Sequence, residues 1–285
     1  MRRLIVSADD FGLSTEVNDA VEDGHRNGVL RAASLMMAAP ATDDAIRRAH
    51  AMPTLRVGLH VVLVNGRPIL PAQRVPDLVD DDGAFFQDLG RAGVRFFFSR
   101  RARTQLEAEI RAQFAAFAAT GLVLDHVNAQ NHMHVHPTVL SLIVRIGREY
   151  DVRAVRVPRE PWLRSWRGTR ASALARASNA VFLAPWLALM KARIRAAGIV
   201  CNDFVFGMND TGHVDAACVR SLIPHLPRGI SELYFHPATR GWEAVPHGME
   251  RYDFAGEHRA LVDPAVIEAI ETSGVRMTTY TELAS

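Results

Sequence analysis

Several features that would classify a chain quickly are scarce or missing in this one. Only 2 of its 285 residues are cysteine, Cys201 and Cys218. They show no CxxC spacing, so neither a zinc ribbon nor a disulfide framework is suggested. Lysine occurs once, at Lys191, and the formal net charge is only +2. That balance gives no reason to expect a nucleic-acid partner. No uninterrupted apolar run approaches the roughly 18 residues of a membrane span. The N-terminus runs straight into an apolar strand pattern, without a signal-peptide core and cleavage site. A cytoplasmic enzyme fits these absences. A hydrophobic content of 48% with 22% charged residues is ordinary for a protein with a substantial core.

What the chain has instead is alternation. Short β-branched or apolar runs at 3–9, 32–37, 55–63, 122–127, 152–157, 203–206, 230–235 and 275–278 read as strands. Between them fall helical patterns at 14–28, 42–52, 103–120, 137–150, 171–197, 213–223 and 264–272. Ser14 and Thr42 are placed as N-caps, and Gly28 and Gly121 as stops. Residues 64–101 have no clean period and form a long insertion; 158–200 forms a second. There is no internal repeat and no change of composition, so residues 1–285 are expected to make one domain. About eight strands alternating with helices predict an α/β fold with a parallel sheet, a distorted (β/α) barrel of the TIM-barrel type. A doubly wound open sheet is the alternative.

On that placement, titratable residues gather at strand ends. Asp9 and Asp10 end the first strand, His60 lies near the end of the third, and Arg156 ends the fifth. His236 follows the seventh, and "LDHVNAQNHMHVHPTV" (124–139) puts four of the 12 histidines after the fourth. Loops at the carboxyl ends of parallel strands converge on one mouth, where such folds keep their chemistry. Each feature also has a plainer explanation. "SADDFG" could be a turn, His60 a hydrogen-bonded core histidine, and the histidine-rich stretch a polar loop. Two adjacent carboxylates repel one another unless a cation or proton lies between them. Asp with nitrogen and oxygen donors suits a divalent ion that activates water.

The ordered set "ADDFG" (8–12), "GLH" (58–60), "HVNAQNHMHVHP" (126–137), "RVP" (156–158) and "HP" (236–237) resembles the YdjC-like carbohydrate deacetylases, the ChbG/HpnK family. The resemblance covers about residues 2–280. Within the family it looks most like the hopanoid-biosynthesis-associated branch, on "LDHVNAQNHMHVHPT" and "VRVPREP". It implies metal-dependent removal of an N-acetyl group from an amino sugar. Carried onto this chain, it makes Asp9 the general base and His236 the acid. Asp10 and His60 would hold the metal, with Gln130, or else His132 or His134 from the same loop, completing the set. Zinc is the leading expectation for that ion, with magnesium or another divalent ion as alternatives. Arg156 would orient Asp9 or bind the sugar, and His134 is placed with it as substrate-binding. One position departs from the family: Gln130 stands where a histidine ligand is usual, and a carboxamide oxygen holds zinc more weakly than imidazole does.

Two segments are expected to border the mouth. "RAGVRFFFSRRAR" (91–103) sets arginines around three phenylalanines, and residues 161–202 contain Trp162, Trp166 and Trp186 without one acid. Either they are a solvated basic loop and a core helix, or they form a face that meets an anionic membrane at the inner leaflet. The expected substrate is accordingly an N-acetylglucosaminyl hopanoid. The rivals are a deacetylase of soluble chito-oligosaccharides, a metal-dependent phosphoesterase, and a non-catalytic sugar or lipid binder.

Overall fold

Strand β1 (Arg2–Phe11) lies at the centre of the architecture. The computed structural model, which describes residues 1–170 and 173–285, sets six further strands in chain order. These are β2 (Ala32–Leu35), β3 (Arg56–Val61), β4 (Leu124–Ala129), β5 (Phe204–Phe206), β6 (Gly229–Phe235) and β7 (Arg276–Met277). The sheet runs β4-β3-β2-β1-β6-β5, every pair parallel, with the short β7 beside the start of β1. Helices follow most strands and cover the outside, as parallel crossovers require.

The sheet curls into the distorted (β/α) barrel that the alternation predicts. The predicted strand at 152–157 is the point of distortion, and it is corrected to a stretch held by single bridges. Val155 pairs with Val127 on one side and Ala154 with Val200 on the other. Because Val200 lies just before β5, backbone pairing continues around the ring. Asn202 takes over where the ladder lapses. Its Oδ1 accepts from Val157 N–H at 2.7 Å, and its Nδ2 donates to the carbonyls of Val157 at 2.9 Å and Phe204 at 3.0 Å.

The long helices were legible from their period. Thr15–Arg26 is capped as expected, Ser14 Oγ accepting from Val17 N–H at 3.2 Å. Thr42 is instead the first residue of its helix; its hydroxyl donates to the Met36 carbonyl at 2.7 Å and fixes the preceding turn. The 64–101 insertion contains a helix, Leu89–Phe98, that its irregular composition concealed. The second insertion folds as two helices, Trp162–Thr169 and Ala173–Ala196. Residues 171 and 172, which open the helix predicted at 171–197, lie outside the described residues. Helices Phe254–Val262 and Tyr280–Ala284 were also unforeseen. Among the described residues no helix is long and apolar enough to cross a membrane.

The replacement of Asn202 by Ala tests the patched ladder. It leaves the buried N–H of Val157 unpaired, at about 1–3 kcal/mol, while the carbonyl keeps its bond from Arg159 N–H at 2.8 Å. Asn202→Ala should therefore lower the urea midpoint and the melting temperature clearly, whereas Asn202→Asp, which keeps the acceptor, should lose less.

Candidate active site

The site is built from residues that face the barrel interior by strand periodicity. Successive side chains on a strand point to opposite faces. Ser7 and Asp9 on β1, His126, Asn128 and then Gln130 along β4, and Glu232, Tyr234 and then His236 along β6 therefore project inward together. Asp10 should point outward, but β1 carries an irregularity between Ala8 and Phe11, and Asp10 adopts φ 63°. This left-handed bulge brings both carboxylates to one cavity.

Arg156 lies beneath that cavity and is fully buried. Its Nη1 and Nη2 donate to Asp9 at 2.5 and 2.9 Å, and its Nε and Nη2 donate to Glu232 at 2.9 and 2.8 Å. Ser34 Oγ and Asn128 Nδ2 also donate to Asp9 Oδ1, at 3.1 and 3.0 Å. Burial alone would raise the Asp9 pKa; the Arg156 guanidinium and the nearby His60 overcome it and hold the carboxyl well below its usual range. Glu232 is likewise lowered against its burial by Arg156. Tyr280 donates its hydroxyl to Glu232 at 2.7 Å, which ties the C-terminal helix to the same network.

These contacts fix the protonation of His60. Asn128 must turn its NH₂ toward the Asp9 carboxylate, which can only accept. Its Oδ1 then faces His60 Nδ1 at 2.7 Å, so that nitrogen carries the proton. The other nitrogen, Nε2, faces Asp10 Oδ1 at 3.3 Å. A lone pair facing a carboxylate oxygen is repulsive unless a proton or a metal cation lies between them. In agreement, Asp10 and Asp9 raise the His60 pKa above its usual value, although burial acts to lower it.

The predicted site residues come together, though at two depths. Asp9, Asp10, His60, Gln130, His132 and His236 line a cavity of about 210 Å³. Arg156 and His134 are fully buried and do not line it. Arg156 orients Asp9, one of the two roles expected of it, and His134 is buried away from the cavity lining. His132 lies in a turn with Asn131, both left-handed, and its Nε2 faces the Tyr234 hydroxyl at 3.3 Å. Burial and the charge of Arg156 lower its pKa to about 4, so it is neutral near pH 7. His134 is pushed well down by burial and by its neighbour His132. Among the described residues no three His, Cys, Asp or Glu side chains converge as a metal set, and His132 Nδ1 is buried without a hydrogen-bond partner. A buried donor that does remain uncommitted is Gln130 Oε1, which accepts no hydrogen bond. Carboxylate, fixed imidazole and free carboxamide oxygen fit a divalent cation, and the neutral oxygen favours a harder ion than a third imidazole would.

Sequence reasoning missed Ser34, Asn128, Glu232, Tyr234 and Tyr280. Four of these five belong to strands, and the alternation of β4 and β6 could have exposed three: Asn128 stands two residues from Gln130, and Tyr234 and Glu232 stand two and four from His236.

Arg156→Met should cost about 3–5 kcal/mol, because it leaves two buried carboxylates without a cation. The pH dependence follows from the same shifts. In the native protein the lowered pKa of Glu232 contributes stability above the ordinary carboxylate range, and that contribution is lost on acidification. In the variant burial is opposed only by the remaining hydrogen bonds and nearby histidines, both carboxyls shift upward, and the penalty shrinks on acidification. The stability gap between the two proteins, followed by chemical denaturation, should narrow from pH 7 to pH 4.

Comparison with known proteins places this arrangement. A carbohydrate deacetylase of Brevibacillus brevis is 40% identical over 162 residues, spanning 56% of this chain and 60% of that protein. The matched region thus covers less than two thirds of that relative's length. A carbohydrate deacetylase of Thermoanaerobacter pseudethanolicus is 25% identical over 284 residues, 99% of this chain and 100% of that one. The crystal structure of an Enterococcus faecalis protein, provisionally assigned to cellobiose-phosphate cleavage, superposes with a TM-score of 0.73 at 22% identity. It covers 100% of this chain and 99% of that one, and at such identity it speaks for the fold alone. Residues 3–272 match the family described as YdjC-like protein, and the chain belongs to that family.

Proposed function

We propose that the chain hydrolyses the N-acetyl group of an amino sugar carried on an apolar aglycone, with an N-acetylglucosaminyl hopanoid as the expected substrate. The observation that carries this reading is the contrast between two adjacent carboxylates at one cavity. Asp9 is held ionised by Arg156, while Asp10 faces a histidine nitrogen that needs a cation or a proton. The names of the two deacetylase relatives support the reaction class.

Asp10 and His60 would hold a divalent ion, with Gln130 as the third donor. When bound there it would supply Lewis acidity, making water a better acid and polarising the amide carbonyl. The remaining steps belong to the side chains. Asp9 takes the proton of the attacking water as its oxygen bonds to the acetyl carbon. Four donated hydrogen bonds from Arg156, Ser34 and Asn128 keep the base oriented. Tyr234 lines the cavity, and burial together with the Asp9 charge keeps its hydroxyl protonated, so it can donate to the developing oxyanion. His236 lies between the rings of Tyr234 and Tyr252, with Nδ1 3.4 Å from the Thr211 hydroxyl. From there it protonates the leaving amine as the C–N bond breaks, giving acetate and the free amino sugar.

The aglycone reading rests on the neighbouring cavity of about 220 Å³, which shares Met208 with the first. Pro158, Pro161, Trp162, Val181 and Leu187 line much of it, a wall better suited to hydrocarbon than to a second polar sugar. A soluble chito-oligosaccharide would use the same chemistry and would leave this wall unfilled.

Asp9→Asn should keep the fold and lower kcat for acetate release by about 10²–10⁴-fold, the usual range for a general base. Wild-type rates in that variant would contradict the assignment. Gln130→His should tighten zinc binding, by calorimetry on metal-free protein, by roughly tenfold or more. Equal affinities for zinc in both proteins would remove Gln130 from the metal set.

A further inference from the structure

All of the exposed large apolar side chains among the described residues except Met1 and Val123 fall in the two insertions. Val94, Phe97 and Phe98 stand on helix Leu89–Phe98; Leu174, Val181 and Phe182 stand on helix Ala173–Ala196. Phe98 is 75% exposed, Phe182 84% and Leu174 86%. Such a concentration is unusual on a soluble surface, where exposed apolar side chains are normally scattered. The two helices also meet the body of the protein at adjacent residues. Phe97 lies edge-on to the ring of His136 at 6.1 Å, and Trp186 donates its Nε1–H to the carbonyl of Val135 at 2.7 Å. Val135 ends the turn carrying Gln130 and His132, so both helices pack beside the loop that supplies part of the candidate site.

The charge around the second face has one sign, while the first has arginines beyond the C-terminal end of its helix and Asp88 exposed at its N-cap. No acidic residue stands between Glu160 and Asp203, and Arg100, Arg103, Arg164 and Arg167 are exposed. Arg170 and Arg193 stack on the rings of Trp166 and Trp186. A second copy of the chain is a poor cover for the second face, since a two-fold contact there would bring arginine against arginine. Aromatic and aliphatic tips within a rim of arginine match the interface of an anionic bilayer, where rings enter the headgroup boundary and guanidinium groups meet phosphate.

We infer that the helices Leu89–Phe98 and Ala173–Ala196 form a peripheral docking face for anionic phospholipid membrane, which holds the mouth of the site against the lipid. The inference deepens the proposed lipid-linked substrate; its purpose rests on that reading, and its physics does not. The face would let an apolar aglycone pass from the bilayer to the cavity beside Met208 without crossing water.

Cosedimentation of the full chain with phosphatidylcholine vesicles, alone or mixed with phosphatidylglycerol, tests it without any substrate. Wild type should bind only the mixed vesicles, and release as salt rises. Phe98→Asp with Phe182→Asp, and separately Arg100→Glu with Arg167→Glu, should each weaken binding by roughly tenfold or more, with thermal unfolding like wild type. Wild type that ignores phosphatidylglycerol overturns the inference, a result that needs no variant to fold. So does a wild-type dimer that the phenylalanine substitutions separate, which would make the face a contact between copies. A chain that binds vesicles yet releases no acetate contradicts the catalytic reading alone; one that deacetylates a soluble glycoside but ignores vesicles contradicts the docking alone.

Discussion

The bridge from Arg156 to Asp9 and Glu232 is the contact on which the site depends. Three ionised groups share one fully buried layer of the barrel, where a missing partner would leave an uncompensated charge in low dielectric. Most barrels of this type fill that interior with branched aliphatic side chains. Here the layer is polar, and each member constrains the next. Arg156 orients Asp9, Asp9 orients Asn128, and Asn128 sets the proton on His60. The nitrogen offered to Asp10 is thus determined three residues away from it. Such preorganisation matters for chemistry, because a base and a ligand fixed before substrate arrives need no rearrangement during reaction.

The backbone adds a second constraint. Strand alternation would separate Asp9 from Asp10, and only the left-handed bulge at Asp10 lets neighbouring carboxylates serve one cavity. The turn holding Asn131 and His132 is left-handed at both residues and borders the same space. Conformations of this kind persist where surrounding contacts over-determine them. Here the strands on either side, the Trp186 bond to Val135 and the packing of Phe97 on His136 supply those contacts.

Much of this was legible before any coordinates. Alternating periods point to the barrel, and polar residues at strand ends identify the rim, because both depend on local pattern. Less legible were features that depend on pairing across distance. The run 152–157 has the composition of a strand, yet Asn202, a single side chain far along the chain, replaces part of its ladder. The helix at Leu89–Phe98 was hidden because it is short, holds two glycines and follows an aperiodic stretch rich in proline and aspartate. The depth of Arg156 and His134 was hidden for a related reason: position near a strand end does not show how far a side chain is buried. Glu232 passed for an ordinary strand residue until its burial against Arg156 was visible.

The proposed function and the proposed docking face join the two halves of the molecule: the barrel would supply hydrolysis, and the insertions would present a lipid-linked sugar to it. The most direct test is to treat the chain with chelator, restore one divalent ion at a time, and measure acetate and free amine from an N-acetylglucosaminyl lipid. The account predicts that both products appear in equal amounts, vanish with chelation and return with metal. Metal bound stoichiometrically with neither acetate nor amine formed, from the lipid or from a soluble glycoside, would contradict it.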